Sequence, residues 1–157
     1  MKPKFVCPDG MGWIYLMMTP SDYNRVKIGK TKRNPRKRLS ELKTGDPYLA
    51  LNVAYFIPYS SGPNLKSIED KIHDYFDSVR IHFLEDEDRV RVASEWFSLE
   101  ASKSEWNVDE AFRKLGFEIT YPSNNYRVKP YVVAKYYESD LVYEPCPFAL
   151  SIENQQW

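Results

Sequence analysis

The chain has 157 residues, the length of one domain or of a compact domain with an added segment. Hydrophobic residues make up 43% and charged residues 28%, which excludes a disordered chain and a membrane protein built from apolar helices. The 22 basic and 22 acidic residues are segregated: residues 24–45 hold nine basic side chains and one acidic, and residues 69–110 hold thirteen acidic and five basic. The neutral total therefore conceals a basic segment suited to phosphate groups, with a solvated charge run as the alternative.

The apolar run at 11–18 is far shorter than the roughly 20 residues that a membrane helix needs. No small-residue cleavage site follows it, so it is not typical of a signal peptide. We therefore expect an intracellular protein with no membrane partner. Cys7 and Cys146 lie at opposite ends of the chain without ligand-spaced neighbours, which favours unpaired thiols, with one long-range disulfide as the alternative.

Two strand-like segments, 13–18 and 26–29, flank turn-forming residues at 19–24, and this pattern predicts a β-hairpin. Asn34, followed by proline, is typical of a helix N-cap and first helical position. We expect that helix to end at Gly45, because glycine commonly follows the last turn.

Residues 49–57 predict a third strand, which a turn at 60–64 follows. Apolar residues then recur at spacings of three and four, which predicts an amphipathic helix over 65–79. The members of this stripe are Leu65, Ile68, Ile72, Phe76 and Val79.

An acidic loop at 85–88 precedes alternating apolar residues, which predict a further strand over 90–97. Asn107, with Glu110 three positions on, resembles a capping box. We therefore expect a short helix to begin at Asn107 and to end at Gly116.

These elements predict an α/β (α+β) fold with a small, mainly antiparallel three-stranded central sheet flanked by helices. We place this domain at residues 1–117. Residues 118–157 are expected to form a β-rich extension, with a strand-like segment at 131–133. The extension packs on the domain or adds binding contacts through its tyrosines and basic residues such as Lys135.

Five short elements occur in a set order along the chain. They are GWIY at 12–15, KIGKT at 27–31, an arginine in the next helix, Glu-x-x-x-His-x-x-Phe at 69–76, and Glu-Trp-Phe at 95–97. Together they resemble the GIY-YIG nuclease superfamily, and more narrowly its phage-derived branch, in which the second motif reads KIG. The resemblance covers about residues 12–97.

This resemblance implies a divalent-metal-dependent endonuclease that hydrolyses DNA phosphodiester bonds and leaves 5′-phosphate and 3′-hydroxyl ends. It implies Mg²⁺ (or Mn²⁺) as cofactor, DNA as partner, and a location in the cytoplasm or with DNA in the nucleoid or nucleus. The reaction requires activation of water, stabilisation of charge on the phosphoryl oxygens and help for the leaving oxygen.

By the positions of the matched motifs, the resemblance places Tyr15 beside the attacking water as the candidate general base. Lys27 replaces the second tyrosine of the superfamily and supplies a cation near the phenol; whether Tyr15 or a deprotonated Lys27 takes the proton stays open. Arg38 grips the scissile phosphate in a bidentate way. Glu69 binds the divalent ion. His73, one helical turn on, contacts the substrate or assists proton transfer.

Five basic side chains are predicted to contact phosphates, contributing affinity and salt dependence rather than sequence choice. They are Lys30, Lys32, Arg33, Arg36 and Lys37.

Each catalytic assignment has a structural alternative. Tyr15 is otherwise an inward-facing strand aromatic, and Arg38 and Glu69 are otherwise solvated helix residues. Two other functions stay open: a catalytically silent nucleic-acid-binding protein with a nuclease fold, and an RNA-directed nuclease. The oligomeric state is not predicted.

Overall fold

The computed structural model describes residues 11–58, 64–84, 91–121 and 131–143. The strands in these ranges are β1 (Gly12–Thr19), β2 (Asp22–Thr31), β3 (Ala50–Ile57), β4 (Arg80–Leu84), β5 (Arg91–Phe97), β6 (Glu118–Thr120) and β7 (Val132–Tyr137). The helices are α1 (Pro35–Leu42), α2 (Leu65–Tyr75), α3 (Ala101–Lys114) and α4 (Glu138–Tyr143). Both cysteines, the acidic loop at 85–88 and most of the turn predicted at 60–64 lie outside the described residues.

The described strands form one seven-stranded sheet in the order β4-β5-β2-β1-β3-β7-β6. Every pairing is antiparallel except that of β6 with β7. The predicted mixed α+β class with a mainly antiparallel sheet is confirmed. The predicted three strands are β1, β2 and β3 at its centre, and the sheet is larger than expected because β5 pairs with the free edge of β2 and β7 with that of β3.

Side chains of the central strands alternate between two apolar faces. Ile14 and Leu16 of β1 contribute to the core on one face, together with the apolar stripes of α2 and α3. Trp13 and Tyr15 contribute to the core on the other face, where Leu39 of α1 also packs. These are called the α2 face and the α1 face.

The first two helices begin where the sequence predicts. The Asn34 side chain accepts the backbone N–H of Arg36 at 3.0 Å, and Asn64 accepts that of Ser67 at 2.9 Å. Both helices end earlier than expected. The α1 C-cap is Lys43, and α2 gives way to a 3-10 turn at Asp77–Val79 that leads into β4, a strand that the pattern did not reveal.

The predicted start of α3 at Asn107 is wrong, because the helix begins at Ala101 and Asn107 lies in its interior. The buried residues Ala101, Ser104 and Val108 continue the helical spacing upstream. Because Ser104 is polar, the sequence pattern does not show this stripe as continuous. Burial of Ser104 is possible because its hydroxyl donates to the Ala101 carbonyl at 2.7 Å.

Strand β7, which includes all but Tyr131 of the strand-like segment predicted at 131–133, is tied to α3 and β3 by a partly buried polar network. The Lys135 ammonium lies 2.8 Å from Asp109 Oδ2 and 2.6 Å from Glu105 Oε1. The Tyr55 hydroxyl donates to Asp109, and the Tyr137 hydroxyl donates to Glu105 at 2.7 Å. These five residues are called the closed cluster.

Lys135 is only 1% exposed, so it is not available for the binding contacts expected of it. Burial alone would lower the pKa of Lys135, but its hydrogen bonds to Asp109 and Glu105 raise it. The ammonium therefore joins β7 to α3. The domain boundary after residue 117 stays a prediction. None of the described helices is long and apolar enough to span a membrane.

Candidate active site

Tyr15 lies in the middle of β1, paired across the sheet with Gly29 of β2, and is 1% exposed on the α1 face. A Cβ on residue 29 would overlap the Tyr15 hydroxyl and would lie 2.9 Å from Glu95 Oε2. Glycine at this position therefore lets the phenol lie across β2 and brings its hydroxyl close to a carboxylate of β5.

Arg38 is presented by α1 to the same phenol. Its guanidinium hydrogen-bonds the Tyr15 hydroxyl and lies 3.3 Å from Glu41 Oε2. Because a guanidinium only donates, the Tyr15 oxygen accepts this bond and the phenolic proton remains available for donation. The Arg38 side chain is 37% exposed, so it also reaches solvent.

Burial raises the pKa of Tyr15 to about 12, and the nearby Glu95 carboxylate adds to the rise, while Arg38 opposes it. The phenol is therefore protonated at neutral pH in the protein alone. The role of Tyr15 as general base stays a prediction.

Lys27 extends from β2 on the same face as Gly29, and its partner is Glu95. Lys27 Nζ lies 3.3 Å from Glu95 Oε2, and their side chains are 15% and 38% exposed. The cation that hydrogen-bonds Tyr15 is thus Arg38, whereas Lys27 orients the carboxylate. Sequence reasoning singled out the Glu-Trp-Phe element but did not assign its glutamate to the site.

Glu69 approaches from α2 on the opposite face of the sheet. Lys30 lies two residues after Ile28 in β2 and so shares the face of Ile28 toward α2, where its ammonium lies 3.1 Å from Glu69 Oε1. Glu69 Oε2 is buried and has no hydrogen-bond partner among the described residues. Lys30, predicted as a phosphate contact, is therefore also a partner of the predicted metal ligand.

The Glu69 carboxylate and the Tyr15 phenol extend from different faces of the sheet. The charge of Glu69 is the smallest of the causes that raise the pKa of Tyr15. In the described part of the chain, β2 and β5 pair only at Val26–Phe97 and Lys27–Trp96, so the rest of the β2 edge has no strand beside it. Five residues around β2 are called the open cluster: Tyr15, Lys27, Arg38 and Glu95, together with Glu69, which approaches from the α2 face and contacts Lys30.

His73 lies one turn beyond Glu69 and is 5% exposed. Its Nε2 donates to the Ile28 carbonyl at 2.9 Å, and its Nδ1 accepts from Arg80 Nη2 at 3.4 Å. Arg80 in turn donates to the Ser94 carbonyl at 2.7 Å. Both ring nitrogens are engaged within the chain, and the ring links α2 to β2 and β4.

The other predicted phosphate contacts lie on and just before α1. Arg36 and Lys37 are exposed, whereas Lys32 and Arg33 are half-buried. Arg33 Nη2 lies 2.5 Å from Glu41 Oε1, and Glu41 also contacts Arg38. The basic segment therefore borders the open cluster through α1.

Within the described ranges, no group of three or more His, Cys, Asp or Glu side chains is placed to hold a metal ion. Glu69 nevertheless fits a divalent cation, because a buried carboxylate oxygen without a partner is a ready oxygen ligand. One carboxylate suffices for Mg²⁺ when substrate oxygens and water complete the shell.

No curated protein and no solved structure matches the chain. A family model does match, over residues 12–116, which include the open cluster and the sheet strands from β1 to β5. That family is described as the T5orf172 domain, a phage-associated domain found in nuclease-like proteins. This match covers well over half of the chain, and the protein therefore belongs to the T5orf172 domain family.

Proposed function

We propose that this protein is a GIY-YIG-type endonuclease that hydrolyses DNA phosphodiester bonds with Mg²⁺ (or Mn²⁺). The observation that carries the proposal is that a phenol and a guanidinium interact on one face of β2, while a buried carboxylate with an unpartnered oxygen contacts Lys30 of the same strand from the other face. These are the groups that the GIY-YIG resemblance implies at Tyr15, Arg38 and Glu69. The family match supports the coarser conclusion of a nuclease-like, nucleic-acid-related protein.

Arg38 is suited to hold the scissile phosphate, since its partly exposed guanidinium group can donate to two phosphate oxygens at once. Arg36 and Lys37 on the exposed side of α1 would contact neighbouring phosphates. Tyr15 fixes the guanidinium by accepting its hydrogen bond. Pre-oriented donors of this kind stabilise charge that develops on the phosphoryl oxygens.

Glu69 would hold the divalent cation through Oε2, while Lys30 keeps the carboxylate in place through Oε1. A bound Mg²⁺ supplies a Lewis acid for the phosphoryl and leaving oxygens. We assign His73 to positioning, because its two ring nitrogens hold β2 and Arg80. The contact with substrate predicted for His73 stays a prediction.

The test is cleavage of supercoiled plasmid by the purified protein with Mg²⁺ or Mn²⁺, with and without a chelator. We expect metal-dependent nicking that Glu69→Gln lowers by about a hundredfold to a thousandfold. Asp70→Asn is the matched control, because Asp70 is the exposed neighbour of Glu69 and pairs with Lys66 on the surface. Equal nicking by the wild type and Glu69→Gln would overturn the role of Glu69.

A panel of duplex, single-stranded and branched DNA and of RNA separates the remaining alternatives. We expect cleavage of DNA. Cleavage of RNA alone would make the protein an RNA-directed nuclease. Tight binding of DNA without cleavage of any substrate would make it a binding protein with a nuclease fold.

A further inference from the structure

We infer that the Glu95 carboxylate is the group that takes the proton from the attacking water. The inference rests on the proposed hydrolytic function, and it assigns the residue that activates the attacking water. It draws on three observations: the exposure of Glu95, the hydrogen bonding of Tyr15 and the ion pair with Lys27.

The first observation is access. The Glu95 side chain is 38% exposed and that of Arg38 is 37% exposed, whereas Tyr15 is 1% exposed. The carboxylate and the guanidinium are therefore both open to solvent, to a phosphate and to a water, while the phenol is enclosed. A proton acceptor has to come within hydrogen-bonding reach of the water, directly or through one further water molecule.

The second observation is the direction of hydrogen bonding at Tyr15. Its oxygen accepts from Arg38 and still carries its own proton. A protonated phenol in this position donates and does not accept a second proton. Glu95 Oε2 lies 2.9 Å from the position of a Cβ on residue 29, the same point that the Tyr15 hydroxyl overlaps. The phenol is thus suited to orient the carboxylate or the water between them.

The third observation is the ion pair of Lys27 with Glu95. The ammonium lies 3.3 Å from Oε2, and the Glu95 side chain stays 38% exposed. One carboxylate oxygen is therefore held in place, while the carboxylate remains open to water. An ammonium engaged in this way acts as a cation that positions Glu95, and the proton goes to the carboxylate.

The proposed step is balanced. The water oxygen forms a bond to phosphorus as its proton moves to Glu95, and the bond from phosphorus to the 3′-oxygen breaks. The 3′-oxygen takes a proton from solvent water, and Glu95 later returns its proton to solvent. One water is consumed, and the products are a 5′-phosphate and a 3′-hydroxyl.

The test compares single-turnover plasmid cleavage by the wild type, Glu95→Gln and Glu110→Gln. Glu110 is the matched control because it is 31% exposed and pairs with Arg113 at 3.0 Å, away from the open cluster. We expect Glu95→Gln to slow cleavage by about a hundredfold or more, with DNA affinity and melting temperature close to those of the wild type. Glu110→Gln should cleave within about twofold of the wild-type rate.

Two further measurements exclude a purely structural role. Glu95→Gln should still slow cleavage in a Lys27→Met background, because Glu95 acts on water and not only through Lys27. Added formate should partly restore cleavage by Glu95→Ala, compared with chloride at the same ionic strength, since a small carboxylate can enter the exposed site.

The outcomes separate the two proposals. An active wild type with an equally active Glu95→Gln overturns the role of Glu95 and leaves the hydrolytic function standing. Loss of the Glu95 effect in the Lys27→Met background, without rescue by formate, reduces Glu95 to a residue that positions Lys27 and likewise overturns the inference. An inactive wild type overturns the proposed function itself and the inference with it.

Discussion

The open cluster and the closed cluster each combine tyrosine, lysine and two carboxylates, and they differ in how completely those groups satisfy one another. In the closed cluster, the Lys135 ammonium contacts both Asp109 and Glu105, and a tyrosine hydroxyl donates to each carboxylate. In the open cluster, Glu69 keeps a buried oxygen without a partner in the described residues, and the Glu95 side chain is more than a third exposed.

Under the proposed function, this difference distinguishes residues that stabilise the fold from residues that take part in the reaction. The closed cluster is centred on buried Lys135, and every group in it has a partner, so it stabilises one arrangement of α3, β3 and β7. The open cluster has an unpartnered buried oxygen on Glu69 and two exposed charged side chains, which costs stability but suits the cation, phosphate and water of the proposal.

The sharpest test of this comparison is Lys135→Met. The substitution leaves two carboxylates beside each other without their cation, and we expect a loss of about 3–5 kcal/mol in the free energy of unfolding. Urea denaturation measures this loss. Lys103→Met is the control, since the Lys103 side chain is 74% exposed and pairs with Glu100 only at the surface. A loss for Lys135→Met no larger than that of the control would contradict the structural role of the closed cluster.

Arg38→Ala is the corresponding test of the open cluster. We expect plasmid cleavage to fall by about a hundredfold to a thousandfold, because the phosphate loses its bidentate donor, while the melting temperature changes little. Arg113→Ala serves as control, since both arginines pair with a glutamate three positions away in a helix. Cleavage by Arg38→Ala at the rate of the control would remove Arg38 from the site.

Gly29→Ala probes the space between Tyr15 and Glu95. The new Cβ would overlap the Tyr15 hydroxyl, so we expect slower cleavage together with about 1–3 kcal/mol of destabilisation. In the control Gly45→Ala, the nearest atom to the Cβ is the Leu42 carbonyl oxygen at 3.8 Å. Unchanged cleavage by Gly29→Ala would show that the phenol need not lie across β2.

The smallest expected effect is the pH dependence of the closed cluster. Burial acts to raise the pKa of Glu105, but hydrogen bonds from Lys135 and Tyr137 bring it below its ordinary value of 4.5. A carboxyl with a lower pKa in the folded state contributes stability above its unfolded pKa and loses that contribution as the pH falls through the folded pKa. Urea unfolding of Glu105→Gln should therefore depend less on pH below about pH 5 than that of the wild type. Parallel curves for the two proteins would contradict this.

Local patterns predicted the centre of the fold well. The hairpin of β1 and β2, the cap at Asn34, and the start and stripe of α2 are carried by residues close together in the chain. The patterns failed where distant segments complete an element. Strand β4 is only five residues long and pairs with β5, and Ser104 reads as polar although it is buried in α3.

The candidate site shows the same difference between what local patterns predict and what contacts between distant segments decide. The motif order carries the GIY-YIG resemblance, and that resemblance implied roles for Tyr15, Lys27, Arg38 and Glu69, which stay predictions. It did not reveal that Lys27 pairs with Glu95 or that Lys30 pairs with Glu69, since those contacts depend on which strand lies beside β2 and on where α2 packs. Nor did it show that both nitrogens of His73 are used inside the chain.

By itself, the sequence determined which residue types the protein has for chemistry, because alternation, capping and motif spacing are local properties of a chain. Only the tertiary structure decided which of those groups have their hydrogen-bond partners within the chain and which stay exposed to solvent. Hydrogen-bond partners and exposure depend on residues far apart in the chain, and only the folded sheet brings them together, burying Lys135 between two carboxylates and leaving Glu95 open to water.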